Sequence, residues 1–211
     1  MGDTSPFAIL TTLTAAFAAI WMGVCAMENN GSIDNGKESK INKKEIISWI
    51  EYILSAVVIA FLLTKFVILN AYIPTGSMEN TIMPGDRVFA SRLHYRFTEP
   101  QRGDIVVFKY PDNEEVNYVK RVIGLPGETV EIKNGEVYVD GVKLEEPYIK
   151  EAMITEDRGP YYVPEDSYFV MGDNRNNSND SRYWTTTNFV HKSKILGKVA
   201  FEYFPRFKWL W

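Results

Sequence analysis

The sequence predicts a mainly β protein, in which an antiparallel β-sheet domain follows one or two transmembrane α-helices. Two observations support this fold class. Apolar, nearly charge-free runs are confined to the first third of the chain, at residues 7–27 and 46–69. Beyond them, short segments rich in β-branched residues alternate with turns that contain Gly, Asn or Asp, which is typical of strands joined by tight connections.

Composition narrows the class of protein further. The chain has 211 residues, of which 45% are hydrophobic and 24% are charged, a balance typical of chains that fold. The net charge of -4 argues against a nucleic-acid partner, because proteins that bind phosphate backbones are usually basic. Cys25 is the only cysteine, and His94 and His191 are the only histidines. An intramolecular disulfide and a cysteine zinc site are therefore excluded, and no metal site is expected.

Residues 1–27 are predicted to contain the first transmembrane helix. The run 7–27 has no charged residue, and a helix needs roughly 20 residues to cross the hydrocarbon core. No Lys or Arg precedes the run, whereas a secretory signal begins with a basic region. A retained span is the favoured interpretation, with a cleaved signal and a buried soluble helix as alternatives.

Residues 46–71 are predicted to form a membrane anchor helix. Glu51 and Lys65 are its only charged residues, and long side chains near the two interfaces can reach the polar headgroups. Trp49 and Tyr52 suit an interfacial belt beside Glu51. The lipid bilayer is therefore an expected partner, and a soluble core helix is the alternative.

The connector, residues 28–45, indicates the orientation of the chain. It carries four lysines, whereas residues 1–6 carry neither Lys nor Arg. Because basic loops stay on the cytoplasmic side, the connector is expected there. Residues 72–211, the predicted β domain, are then extracytoplasmic at the plasma membrane.

The β domain is predicted from five segments with strand patterning. Asn134-Gly135 and Asp140-Gly141 are typical hairpin turns. The predicted strands are 104–109, 117–123, a hairpin over 129–139, 167–171 and 195–204. A domain of this length is large enough to bury one core.

Three clusters in this domain carry possible chemistry. Ser77 lies in PTGSM, where a glycine allows a tight turn that exposes the hydroxyl. Lys120 lies in YVKRVI, where alternation places it on one face with Tyr118 and Val122. A buried lysine has a depressed pKa and can act as a neutral base. Taken singly, an ordinary turn residue is the favoured interpretation of Ser77, and a lysine in water on an edge strand is the favoured interpretation of Lys120.

The third cluster is the polar loop 172–184, GDNRNNSNDSRYW. The simplest interpretation of this segment is a solvated surface loop without a function. Asp173, Arg175, Asp180 and Arg182 nevertheless allow charge-assisted pairing that would order it. The paired acids Glu114-Glu115 and Glu145-Glu146 are predicted to be solvated.

In combination, these motifs resemble the type I (leader) signal peptidases. PTGSM, GDRV at 85–88, RGDIVVFKYP at 102–111, YVKRVIGLPG at 118–127 and the polar loop occur in the order of that family's boxes. The resemblance spans the β domain, and the predicted anchor precedes the serine as it does in the family. Asn80 departs from the pattern because the family often has Pro there, which predicts a less rigid turn after Ser77.

The resemblance implies a serine endopeptidase with a Ser/Lys dyad. Ser77 matches the nucleophile and Lys120 the general base. The Ser77 backbone N–H and the Thr75 hydroxyl match the oxyanion hole. Ser178 matches the serine that orients the lysine. Asp180 and Arg182 match a supporting salt bridge, and no metal or organic cofactor is implied.

The implied substrates are exported preproteins, cut after small residues of the Ala-x-Ala type at the outer membrane surface. The positions that match the substrate pocket are Ile73, Met78, Ile82, Tyr118 and Val119. A monomer is expected. The alternatives are a soluble Ser/Lys autoprotease of the SOS-repressor type, a conjugation- or pilin-type processing peptidase, and a membrane-anchored β binding module without activity.

Overall fold

A computed structural model describes residues 43–210 of the chain. The predicted first transmembrane helix, residues 7–27, and nearly all of the connector lie outside the described residues. The described chain divides into two units, one ending at Ala60 and one beginning at Phe61. The second unit contains all of the β structure.

Helix α1, Lys43–Leu62, continues into a π-helical turn, Leu63–Val67. The stretch Ile46–Val67 has a mean hydropathy of 2.3, is long enough to cross a membrane, and has none of its side chains buried. Large apolar side chains such as Ile53 and Phe61 are about 60% exposed, which is unfavourable in water and suits a lipid environment. The structure thus contains one apolar helix consistent with membrane anchoring.

The helical segment ends earlier than the predicted anchor at residue 71. Ile68–Tyr72 forms strand β1, which pairs antiparallel with β2, Arg87–Ser91. Leu69 is 7% exposed and packs in the domain core. The prediction was wrong here because an apolar side chain that faces lipid and one that faces a protein core have the same hydrophobicity. The β structure therefore begins at Ile68 and not at residue 72.

Among the described residues the main sheet has eight strands, and three of its seven pairings join strands that are not consecutive along the chain. Its order is β1-β2-β11-β3-β4-β9-β10, and β12 pairs with β11. All seven pairings in this sheet are antiparallel. The strands beyond β2 are β3 Ile105–Tyr110, β4 Asn113–Gly124, β9 Ser167–Met171, β10 Val190–His191, β11 Ile195–Phe204 and β12 Lys208–Trp209.

A smaller sheet of four strands has the order β7-β6-β5-β8. Its strands are β5 Thr129–Lys133, β6 Glu136–Val139, β7 Val142–Lys143 and β8 Arg158–Tyr162. Asn134 and Gly135 connect β5 to β6 with φ angles of 53° and 75°, as the predicted hairpin turn requires. The mainly antiparallel β fold predicted from the sequence is confirmed, together with its five predicted strand segments. The shorter strands were not predicted.

Alternate residues of strand β4 pack on opposite faces of the main sheet. Val119 packs against one buried cluster, which includes Ile73, Met78 and Ile82. Tyr118 packs against another, which includes Val122. The predicted alternation along this strand is therefore correct. The described part of the chain contains one short α-helix after α1, which is α2, His94–Phe97.

Candidate active site

Ser77 lies in a tight turn directly after the first strand of the sheet. Thr75 is extended, with φ -122° and ψ 155°, and a 3-10 turn covers Gly76–Met78. The turn is fastened to the chain that follows it, because the Ile73 N–H donates to the Asp86 carbonyl at 3.0 Å and the Gly85 N–H donates to the Ile73 carbonyl at 2.8 Å. The Ser77 residue is 9% exposed.

Lys120 approaches Ser77 from strand β4. Its Nζ donates to Ser77 Oγ at 2.7 Å and to the Val119 carbonyl at 3.2 Å. The residue is 3% exposed, and its Nζ lies 5.1 Å from the centroid of the Tyr118 ring. Tyr110 stacks on Tyr118 with ring centroids 4.3 Å apart. The aromatic pair and the sheet together shield the amine from water.

Burial lowers the pKa of Lys120 to about 8. Desolvation is the largest cause, because it penalises the charged ammonium. The charges of Asp180 and Asp173 act in the opposite direction and Arg182 adds to the lowering. A lysine with this pKa has a substantial neutral fraction near neutral pH and can accept a proton from a hydroxyl.

We predict that hydrolytic activity rises with pH through the pKa of Lys120. Lys120 can accept a proton only when it is neutral, and with a pKa of about 8 only about a tenth of the molecules have a neutral Lys120 at pH 7. A profile of kcat/KM against pH should therefore have its ascending limb centred near 8. A limb centred above 10, where an ordinary lysine titrates, would contradict the desolvated base.

The polar loop after β9 is ordered by buried ion pairs. Arg182 Nε lies 2.7 Å from Asp180 Oδ1, and both side chains are completely buried. Asp180 also accepts the Gly172 N–H at 3.0 Å, so it ties the two ends of the loop together. The predicted pairing of Asp180 with Arg182 is confirmed, and the interpretation of a solvated loop is excluded.

The other two charged residues of this loop pair with distant residues. Asp173 accepts from Arg121 at 2.8 and 2.6 Å. Arg175 donates to Glu146 at 2.6 and 2.5 Å, and the Glu146 side chain is 7% exposed. The prediction that Glu146 is solvated was therefore wrong. Its partner, Arg175, is distant in sequence, and the residues around Glu146 do not indicate that the two meet.

Ser178 does not make the contact with Lys120 that the resemblance implied. Its Oγ is buried and has no hydrogen-bond partner in the described structure. It packs against Gly172, where an added Cβ would lie 2.3 Å from Ser178 Oγ and 2.4 Å from the Ser77 carbonyl oxygen. The second partner of the lysine is instead the Val119 carbonyl, so Ser178 lies close to the Ser77 carbonyl without bonding to Lys120.

A cavity of about 340 Å³ opens beside the Ser77 and Lys120 side chains. Its wall includes four of the five residues predicted to line it, Ile73, Met78, Tyr118 and Val119. The fifth prediction, Ile82, was wrong. Its N–H donates to the Met78 carbonyl at 2.8 Å and its side chain is fully buried in the core beneath the turn.

Thr75 also lies in the wall of this cavity.

Asn80 follows the turn that carries Ser77, at a position where the resembled family often has Pro. Its φ is 87°, which asparagine tolerates and proline cannot adopt. The Asn80 side chain donates to the Tyr148 carbonyl at 3.0 Å. The turn is thus fastened by a side-chain hydrogen bond, which differs from the less rigid turn predicted.

A contact between a serine and a histidine lies in the wall of another cavity, of about 720 Å³. His191 Nδ1 lies 2.9 Å from Ser193 Oγ and accepts the Ser193 N–H, so it caps a 3-10 turn. Both residues are exposed. Within residues 43–210, no group of three or more His, Cys, Asp or Glu side chains is arranged to hold a metal ion.

A serine hydroxyl bonded to a buried lysine with a lowered pKa, beside a cavity in an antiparallel β domain, is the arrangement that a hydrolase of the serine–lysine type requires. The model of the family "Signal peptidase, peptidase S26" matches residues 46–204. The chain belongs to this family. The resemblance and the enzyme class predicted from the sequence, a serine endopeptidase of the signal peptidase I type, are therefore confirmed.

Relatives with this description cover most of the chain. A probable signal peptidase I-2 of Synechocystis sp. is 42% identical over 75% of this chain and 74% of its own. Signal peptidase I S of Bacillus subtilis is 40% identical over 80% of this chain and 94% of its own. A crystal structure of a signal peptidase I from Enterococcus faecalis is 39% identical, covers 48% of this chain and 97% of that chain, and has a TM-score of 0.42.

Proposed function

We propose that this enzyme removes signal peptides from exported preproteins through a Ser77–Lys120 dyad. The observation that carries the proposal is the 2.7 Å contact between Lys120 Nζ and Ser77 Oγ at an almost fully buried amine. The neutral amine takes the hydroxyl proton as Ser77 Oγ attacks the scissile carbonyl carbon. Lys120 then protonates the leaving amine, and an ester joins Ser77 to the signal peptide.

The second half of the reaction uses the same two residues. Neutral Lys120 takes a proton from a water molecule, whose oxygen attacks the ester carbonyl. The carbon–oxygen bond to Ser77 breaks, and Lys120 returns the proton to the serine oxygen. The Ser77 backbone N–H and the Thr75 hydroxyl are the proposed donors to the negatively charged oxygen that forms in each half, which is supported by the place of both residues in one cavity wall.

The cavity supports a preference for small residues before the cut. It is bounded by Ile73, Met78 and Val119 and measures about 340 Å³, which is at the lower limit of ligand sites. An alanine side chain fits against such a wall, whereas a large aromatic one competes with it for volume. Strand β1 is at the edge of the main sheet, so its last residue, Tyr72, can pair with the extended cleavage segment as part of an added strand.

The membrane arrangement is proposed from the charges of the sequence. The lysine-rich connector, residues 28–45, is assigned to the cytoplasmic side. The β unit from Ile68 onward is then extracytoplasmic, at the side where a translocated signal sequence ends. Residues 1–27 are proposed to hold a second span, and the working oligomeric state is a monomer.

We predict cleavage of a preprotein with an Ala-x-Ala site by the full-length protein in detergent. The product N-terminus should be the residue that follows the second Ala. Replacing that Ala by Phe in the substrate should lower kcat/KM by about 100-fold or more, because a large side chain does not fit the cavity. The rate and the new N-terminus are measured by electrophoresis and mass spectrometry.

The same experiment separates this function from the alternatives. Absence of cleavage by folded protein would favour a binding module. Cleavage without any preference for a small residue at that position would favour a processing peptidase with another substrate class. Inactive folded protein would leave the family assignment intact and would overturn only the proposed activity of this chain.

A further inference from the structure

The peptide group between Gly76 and Ser77 is fixed by hydrogen bonds to its carbonyl oxygen. The Gly76 carbonyl oxygen accepts the side-chain amide of Asn174 at 3.0 Å and the Glu79 N–H at 3.1 Å. Asn174 is 2% exposed. The cavity beside Ser77 is bounded on this side by Gly76 and Ser77 themselves, so the amide of Asn174 lies behind that wall.

Fixing this carbonyl also fixes the N–H of Ser77. The peptide unit is planar and trans, so its C=O and N–H point in opposite directions. With the Gly76 oxygen directed toward Asn174, the Ser77 N–H is directed away from Asn174. The following peptide is held as well, because the Asn174 N–H donates to the Ser77 carbonyl at 3.1 Å. One residue thus holds both peptide units that flank the nucleophile.

Asn174 is itself held firmly by its neighbours. The carboxylate of Asp173 forms two hydrogen bonds with Arg121, at 2.8 and 2.6 Å, and accepts the Thr81 hydroxyl. The Asn174 carbonyl accepts the Asn177 N–H at 3.0 Å. Because the backbone on both sides of Asn174 is fixed, its amide can fix the orientation of another group.

We propose that Asn174 is a positioning residue that aims the Ser77 N–H at the oxygen that becomes negatively charged during cleavage. This rests on the proposed function, because it takes Ser77 as the nucleophile. An oxyanion donor acts mainly in the transition state. Losing its alignment should therefore lower kcat and leave KM unchanged, whereas a loss of substrate contacts would raise KM.

The kinetic test uses Asn174→Asp and Asn174→Ala in the full-length protein in detergent. Both variants remove the donor to Gly76 and keep the backbone bond to Ser77. We expect kcat to fall by about 10- to 100-fold, somewhat less than the loss of a whole oxyanion donor, with KM unchanged. The midpoint of the pH profile should also stay unchanged in Asn174→Ala, which adds no charge near Lys120.

The matched control is Asn176→Asp. Asn176 lies in the 3-10 turn that follows Asn174, and its amide likewise donates to a carbonyl oxygen, that of Ala152 at 3.0 Å, and not to Gly76. We expect its kcat and KM to equal those of the unaltered enzyme. If kcat falls equally in Asn176→Asp and in the Asn174 variants, the cause is a general loss of order in the loop. That result would overturn the proposal.

A second measurement does not depend on activity. With Gly labelled at the carbonyl carbon and Ser at nitrogen, only two Gly–Ser bonds give a correlation signal, 31–32 and 76–77. The signal that disappears in Ser77→Ala belongs to 76–77. We expect this signal to shift in Asn174→Ala and to stay in place in Asn176→Asp, because the side chain of Asn174 bonds to the Gly76 carbonyl and that of Asn176 does not.

The two readouts separate the failures. A lower kcat without a shifted 76–77 signal, or a shifted signal with full kcat, would overturn the positioning role. Absence of cleavage by the unaltered enzyme would reject the proposed function. In that case the labelled signals alone decide whether Asn174 orients this peptide.

Discussion

Lys120→Arg is expected to abolish preprotein cleavage, with a loss on the order of 10⁴-fold or more, as for nucleophile or base variants of serine proteases. Arginine does not deprotonate in proteins, so it cannot take the proton of the Ser77 hydroxyl. Ser77→Ala removes the attacking oxygen and should lose as much. The two losses should not add, because the residues act as one unit.

Lys120→Met separates chemistry from folding. Methionine is similar in length and carries no charge, so it should fill the same buried position while removing the base. The pKa of Lys120 is lower in the folded state, about 8, than its usual 10.5, so at pH 7 the unfolded chain binds the proton more tightly and burial of this lysine lowers stability. Lys120→Met should therefore be at least as stable as the unaltered enzyme at pH 7.

The measurements are single-turnover cleavage of a preprotein and a denaturant midpoint for each variant. Lys133→Met is the matched control, because its side chain is 52% exposed and bonds only to Glu131. It should keep full activity. Activity that persists in Lys120→Arg would refute the neutral-base mechanism, and retained activity in Lys120→Met would assign the base to another residue.

The features that the sequence predicted well depend on short-range patterns. The Asn134-Gly135 hairpin follows from the turn itself, since both residues adopt positive φ. The faces of β4 follow from strict alternation, which puts Lys120 beside Tyr118. The approach of Ser77 to Lys120 was predicted only from the resemblance, because two residues that distant in sequence meet through the order of the sheet.

The features that the sequence did not predict depend on which distant segments meet. Glu146 was expected in solvent and forms a buried pair with Arg175. Ile82 was expected in the cavity wall and packs beneath the turn. Ser178 was expected at Lys120 and packs at Gly172. Each error concerns the direction of a side chain in a loop, where no periodicity determines the face.

The end of the helical segment was misplaced for a different reason. Ile68 and Leu69 continue the apolar run of the anchor, yet they pair with β2 and Leu69 enters the core. The apolar composition of this segment predicts that its side chains are shielded from water. It does not predict whether lipid or the protein core surrounds them. Only the register with Ala90 and Ser91 distinguishes the two environments.

Asp180→Asn should be the most destabilising single substitution near the site. It leaves the Arg182 guanidinium, which is completely buried, without its charge partner, and breaking such a pair costs about 3–5 kcal/mol. The expected result is a fall of that size in the free energy of unfolding, measured by denaturant titration. Glu136→Gln is the control, because its pair with Lys143 has side chains 43% and 49% exposed and exposed pairs contribute about 0–1 kcal/mol.

The same variant also tests how the loop acts on the base. Asp180 raises the pKa of Lys120 against the larger effect of burial, so its neutralisation should move the ascending limb of the pH profile to lower pH. Loss of stability with no change in this midpoint would show that the pair only supports the fold. A loss of stability together with a lower midpoint would show that the Asp180 carboxylate has two effects. It holds the loop together, and it limits how far burial lowers the pKa of Lys120.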